Sequence, residues 1–127
     1  MKCSIVDIET TGGSAKKQAI TEIAIIQIED GKEVDRYETL INPMVLIPSR
    51  ITDITGITNE MVADAPAFHE VANEIWKRTH DRIFVAHKVN FDYGFIREQF
   101  SRLGAHWRPK RLCTVRLSRK LIPNLYS

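Results

Sequence analysis

Cysteine is scarce. Only Cys3 and Cys113 occur in 127 residues, far apart and without a CxxC spacing. That excludes a disulfide scaffold and a zinc knuckle, and it points to a reducing, cytoplasmic setting. Long apolar runs are also missing, since none approaches the ~20 residues a membrane helix needs. The opening Met1-Lys2-Cys3-Ser4-Ile5-Val6 meets Asp7 too soon for a secretory signal. Neither a membrane nor a secreted protein is expected. No GxSxG, P-loop or dinucleotide fingerprint is present. Acidic residues stop altogether after Glu98.

What remains is ordinary globular material, 43% hydrophobic and 27% charged, enough for one domain over residues 1–127 that buries roughly two thirds of its unfolded surface. The net charge of +2 conceals a division: residues 1–96 carry 10 basic and 15 acidic side chains, residues 97–127 carry 8 basic and 1 acidic. A basic end beside an acidic body suits a polyanionic partner, because Lys and Arg displace counterions from phosphates. A solvated surface gives the same pattern.

Residues 2–9 read as a strand, and Gly12-Gly13-Ser14 breaks it. Residues 20–29 form a second strand, apolar on both faces at its middle. Asp30-Gly31 is a two-residue hairpin signal, and 32–42 returns as the third strand of a meander. Short helical pieces are expected at 49–54 and 59–63. Phe68, Val71, Ala72, Ile75 and Thr79 share one helical face and give a helix over 67–79. Residues 82–86 are a short buried strand. Asn90 is expected to cap a helix to Leu103 with Phe91, Phe95, Phe100 and Leu103 inward, and Gly104 to end it. A last strand at 110–113 and a basic helix at 114–121 complete an α/β order, βββ-α-β-α-β-α, with helices packed on a mixed sheet.

Asp7 and Glu9 carry the first chemistry. Two residues apart on a strand, they lie on one face about 7 Å apart, with Ile8 turned the other way. Such carboxylates share a site cheaply only with a cation or proton between them. Oxygen-only ligands suit Mg²⁺ or Mn²⁺ rather than zinc. Thr10-Thr11-Gly12-Gly13 can present backbone N–H groups to a substrate. Asp92, in the first turn of a helix after a buried strand, is the third acid, favoured there by the helix dipole.

Asp-Ile-Glu-Thr-Thr-Gly (7–12) and Ala-His-Lys-Val-Asn-Phe-Asp (86–92) together resemble the first two motifs of the DEDD-type 3′–5′ exonucleases, in particular the proofreading epsilon subunits of bacterial DNA polymerase III. Ile54-Thr55-Gly56-Ile57-Thr58-Asn59-Glu60-Met61, Asp64-Ala65-Pro66-Ala67-Phe68, Leu112-Cys113-Thr114-Val115 and Leu117-Ser118-Arg119-Lys120-Leu121 are similar to the segments joining and following those motifs. The resemblance implies a ribonuclease H-like fold, a three-stranded antiparallel meander plus parallel strands with flanking helices. It implies removal of nucleotides from single-stranded DNA 3′ ends, with RNA as a possible substrate, by two-metal-ion phosphodiester hydrolysis with Mg²⁺ or Mn²⁺. A DNA polymerase catalytic subunit is an implied partner. By the same resemblance Asp7 bridges both metals, Glu9 holds one and positions water, and Asp92 ligates the second. Thr10, Thr11, Gly12 and Thr55 become candidate contacts to the terminal nucleotide.

Two residues depart from the pattern: Lys88 where relatives often carry Asn, and Thr55 where the epsilon subunits carry His. A larger departure is the third motif, a general-base His and a fourth metal-binding Asp spaced H-x₄-D. His87 and Asp92 have that spacing, but their setting belongs to the second motif, and His87 is expected to be a hydrogen-bonded structural residue. His69, His80 and His106 have no acid at the required distance. The domain is therefore expected to be incomplete at its C-terminus. A non-catalytic nucleic-acid-binding or polymerase-associated module with the same fold is the alternative. An aspartyl-phosphate phosphatase is more remote, for lack of a matching Lys and downstream acidic pair. Without a base near the attacking water, the 127-residue chain alone should show little or no nuclease activity. Robust Mg²⁺-dependent degradation of labelled single-stranded DNA, abolished by Asp7→Ala, would refute this.

Overall fold

Strand β1 (Lys2–Thr10) runs through the middle of the sheet. The structure, a computed structural model, describes residues 1–112; the helix expected at 114–121 lies outside them. Strand β2 (Ile20–Glu29) pairs antiparallel with β1, and β3 (Lys32–Leu40) antiparallel with β2. Asp30 and Gly31 take φ of 52° and 80°, the left-handed pair that a two-residue hairpin turn requires. Short helices α1 (Ser49–Thr55) and α2 (Asn59–Ala63) follow. Helix α3 (Phe68–Thr79) leads into β4 (Ile83–Val85), helix α4 (Val89–Arg102) and β5 (Arg111–Leu112). Strands β4 and β5 add in parallel, giving the order β3-β2-β1-β4-β5. The expected mixed sheet with flanking helices is the observed one. Among the described residues no helix is long and apolar enough to cross a membrane.

The two faces of β1 do different work. Val6 and Ile8 join Ile23 and Ile25 of β2 under α3 and α4, in a core closed by Phe68, Ile75, Phe95, Ile96 and Phe100. On the other face Cys3 and Ile5 cluster with Ile26, Ile28, Ile83, Val85 and Leu112. Further along that face the register sets Glu9 opposite Glu22, and Asp7 opposite Ala24 and through it Glu38. One face is thus apolar at one end and acidic at the other.

Three sequence expectations change. Helix α4 begins at Val89 after a cap residue, Lys88, that makes no side-chain cap bond, so Asn90 lies in the first turn and does not cap it. Buried Val89 anchors the turn, and the amides of Phe91 and Asp92 donate to the Lys88 carbonyl at 2.9 and 3.1 Å. The buried stripe is Val89, Tyr93, Phe95, Ile96 and Phe100, while Phe91 and Leu103 face outward, since the stripe set by Val89 and Tyr93 turns Phe91 toward solvent. The third strand ends at Leu40, two residues before the expected limit; Asn42 instead bridges to Ala67.

Trp107 is a centre of the core. It is 1% exposed and stacks against Phe100, with Phe84 and Tyr93 at 5.5 and 4.8 Å. Its indole Nε1 donates to Thr79 Oγ1 at 2.8 Å, and that hydroxyl donates to the Ile75 carbonyl at 2.8 Å. Removing the hydroxyl strands a buried donor. Thr79→Val should cost about 1–3 kcal/mol in urea unfolding of the chain. Trp107→Phe should cost less in the Thr79→Val background than in wild type. Additive costs would show that the bond does not couple the two residues.

Candidate functional site

Asp7 and Glu9 stand at the C-terminal end of β1, where the strand meets the loop to β2. Asp7 is exposed and Glu9 half-buried. A register shift between Glu9 and Thr10 ends the regular pairing with β2, as bulges do where a strand end is turned for use. The loop beyond is tied down internally. Thr11 is fully buried; its hydroxyl donates to Gln18 Oε1 at 2.7 Å and accepts from the Ala19 amide at 3.1 Å. Thr10 Oγ1 donates to the Gly12 carbonyl at 2.7 Å. A side chain on Gly12 would meet Gln18 at 2.9 Å, so glycine there lets the Thr11–Gln18 bond form. Arg102, at the end of α4, donates to the Ala15 and Lys16 carbonyls at 3.0 and 2.9 Å and clamps the loop from the far side.

Asp92 reaches this strand end from the first turn of α4 and is 6% exposed. Burial pushes its carboxyl up to about 7, and the Asp7 charge adds to the rise; the backbone amides of Ile8 and Asp92 oppose it, and Glu9 adds a smaller upward push. That set of neighbours places the Asp92 carboxyl against β1 at Asp7 and Ile8. Glu9 is also raised, by burial first, then by Asp7 and Glu22. Glu22 is raised by burial, then by Glu38 and Asp7. The sequence reading missed Glu22, because its place beside Glu9 depends on the β1–β2 register. The β2 sequence held the available signal: apart from Glu29 at its end, Glu22 is the one acid of the strand.

The acids share a region without closing into a cage. Among the described residues no three His, Cys, Asp or Glu side chains converge as a metal-binding group. The donor set of Asp7, Glu9 and Asp92 suits a hard divalent cation, since all its ligand atoms are oxygen.

The other candidates are placed differently. Thr55 closes α1: its hydroxyl donates to the Ile51 carbonyl at 3.0 Å and accepts from the Ile57 amide at 3.1 Å. It approaches from the β3 side, where Ile47, Ile57 and Val62 pack with Leu40, the strand partner of Glu22. His87 is exposed and makes no side-chain hydrogen bond among the described residues, so the expected hydrogen-bonded structural role is not seen: β4 ends at Val85, and His87 projects from the connection beyond it.

This arrangement has known counterparts. DNA polymerase III PolC-type from Clostridium perfringens is 38% identical over 121 residues, 95% of this chain and 8% of that protein. DNA polymerase III subunit epsilon from Aquifex aeolicus is 35% identical over 122 residues, 95% of this chain and 60% of that protein. The chain thus spans from under a tenth to about three fifths of these relatives. Exonuclease X, solved in complex with 5′-overhanging duplex DNA, shares the fold with a TM-score of 0.71 and 30% identity over 95% of this chain and 64% of that one. The family described as Exonuclease matches residues 4–127, and with the mixed sheet and the acids at the end of its central strand, the chain belongs to that exonuclease family.

Proposed function

We propose that residues 1–127 belong to a single nuclease domain that, in the full gene product, removes nucleotides from single-stranded DNA 3′ ends in the manner of a proofreading 3′–5′ exonuclease. One observation carries the reading: a buried carboxyl, Asp92, held against β1 beside Asp7 and Glu9 in a chain of the exonuclease family. Such a group is costly to the fold unless it works there. Asp7, Glu9 and Asp92 would hold two Mg²⁺ or Mn²⁺ ions. When bound, these ions supply Lewis-acid stabilisation of a phosphodiester undergoing attack. The chain's own residues do the rest. Asp92 offers a carboxylate whose proton is displaced on cation binding. The internally bonded Thr10–Gly12 turn and Thr55 stand as contacts for the terminal nucleotide. The names of the relatives make a polymerase subunit a candidate partner.

The direct test uses the full gene product, with labelled single-stranded DNA and RNA in Mg²⁺, Mn²⁺ or chelator. Digestion from the 3′ end should require the cation, and Asp92→Ala or Asp7→Ala should reduce it at least ~1000-fold, about 4 kcal/mol of transition-state stabilisation. Activity that survives both substitutions would sink the assignment. RNA digested in preference to DNA would move the substrate class.

Asp92 also makes stability depend on pH. Its carboxyl is raised from an ordinary value of 3.8 to about 7, so between those values the folded chain holds a proton that the unfolded chain has released. Stability without metal should therefore fall as pH rises from about 4 to 7, by an amount on the order of a few kcal/mol. Thermal melts of the chain in chelator should show a lower Tm at pH 8 than at pH 5. Asp92→Asn should raise the Tm at pH 8 and abolish the further rise that Mn²⁺ gives wild type. A flat pH profile, or Mn²⁺ stabilisation that persists in Asp92→Asn, would contradict the placement of this carboxyl.

A further inference from the structure

Cations from three separate segments meet at the end of the sheet opposite the carboxylates. Lys2 opens β1, Arg82 stands just before β4, and Arg108 and Lys110 lie in the extended stretch before β5; together they line an open cavity of about 690 Å³. Lys2, Arg108 and Lys110 are exposed, as are His80 and His106 on the same wall. Arg82 is the fixed part of the groove: its guanidinium donates to the Cys3 and Ile28 carbonyls at 3.3 Å and meets Glu29 at 3.4 Å. The acid lining the groove is Asp81, exposed and 3.3 Å from His80. Positive charge therefore dominates a concave surface, instead of being spread along one solvated helix.

The groove also has an aromatic wall. His80 stacks on Trp76 with ring centres 5.0 Å apart and planes 20° from parallel, and Trp76 is braced edge-on by Phe100 at 5.5 Å. The outer face of His80, whose side chain is 52% exposed, is a flat surface held in place from behind. Cations around a backed aromatic face are the elements that bind single-stranded nucleic acid without reading its sequence: phosphates on the cations, a base on the ring.

We propose that this groove is a second nucleic-acid-binding surface, which holds a single-stranded stretch at a distance from the 3′ end. Phosphates lie against Lys2, Arg108 and Lys110, and a base stacks on the His80–Trp76 pair. Asp7 lies five residue steps along β1 from Lys2, roughly 17 Å at strand rise, so one strand can engage both ends of the sheet. Strand β5 starts at the groove and runs parallel to β4. The inference rests on the reading that the chain handles nucleic acid.

The test is a salt titration of fluorescein-labelled oligothymidylate, about 16 nucleotides long, binding to the chain in chelator. Lys2→Gln, Arg108→Gln and Lys110→Gln combined should weaken binding at least tenfold. They should also lower the slope of log K against log salt by about 2, near 0.7 for each phosphate contact to a single strand. His80→Ala should weaken binding several-fold at unchanged slope. Unfolding midpoints equal to wild type show that the variants fold. A triple variant with wild-type affinity and slope overturns the groove alone. A wild-type chain that binds no oligothymidylate at any salt overturns the nucleic-acid reading with it.

Discussion

A carboxyl pressed against the backbone of Ile8, with Asp7 and Glu9 beside it, is the constraint around which this fold is arranged. Like charges in a partly dry region repel, and burial removes the water that would screen them. The backbone amides of Ile8 and Asp92 favour the charged carboxyl, but burial and the neighbouring Asp7 outweigh them. It stays because α4 has no freedom to withdraw: Val89, Phe95, Ile96 and Phe100 are buried in the principal core, and at its other end Arg102 is bonded across to the β1–β2 loop. Both ends of the helix are held. The apolar stripe and the Arg102 clamp compensate for the repulsion at the first turn, much as strained or charged sites elsewhere persist only where the surroundings over-determine them.

Central strand β1 supplies the other half of the arrangement. Its alternation sends Val6 and Ile8 into the core under the helices and leaves Asp7 and Glu9 on the opposite face. A shift of one residue in the register would bury both acids and expose Val6 and Ile8, so the acidic site and the core specify each other. Toward its start the same acid-bearing face turns apolar, through Cys3 and Ile5 with Ile28 and Val85. The transition falls within one strand, between Ile5 and Asp7, and it separates the part of the sheet that must stay packed from the part that must meet a charged ligand.

How much of this could be read beforehand depended on the range of the interactions. The meander, the hairpin at Asp30-Gly31 and the helix over 68–79 are local patterns, and they were legible. Asp7, Glu9 and Asp92 were legible as candidates because two short motifs carry them. Glu22 was not, because its neighbour Glu9 is met only through strand pairing 13 residues away in sequence. Trp107 was not, because the Thr79 hydroxyl that receives its N–H lies 28 residues earlier, and no periodicity marks such a pair. The face of α4 was misjudged for a related reason. Phe91 is the more hydrophobic side chain, but Val89 and Tyr93 are the ones packed in the principal core, and tertiary fit overrode hydrophobicity.

The charge division first visible along the sequence takes a different form in space. In the sequence it separates residues before and after position 96; in the fold a cation-lined groove lies at the start of β1 and a group of carboxylates at its end. Lys2, the earliest basic residue, joins Arg108 and Lys110 at one end, while Asp7, Glu9 and Asp92 gather at the other. A polyanion approaching such a molecule is repelled by the acidic end and attracted by the basic one. Divalent cations at the carboxylates would reverse the sign of the first term and leave the second unchanged. The physical consequence is an ordering. Attraction at the basic groove does not depend on metal, whereas engagement of the acidic end does, so a strand can be held near the domain before the charge at its far end is neutralised. Separation along a rigid strand makes this possible. Were the cations packed directly against Asp7 and Glu9, they would pair with those carboxylates and compete with any metal ion for the same oxygens.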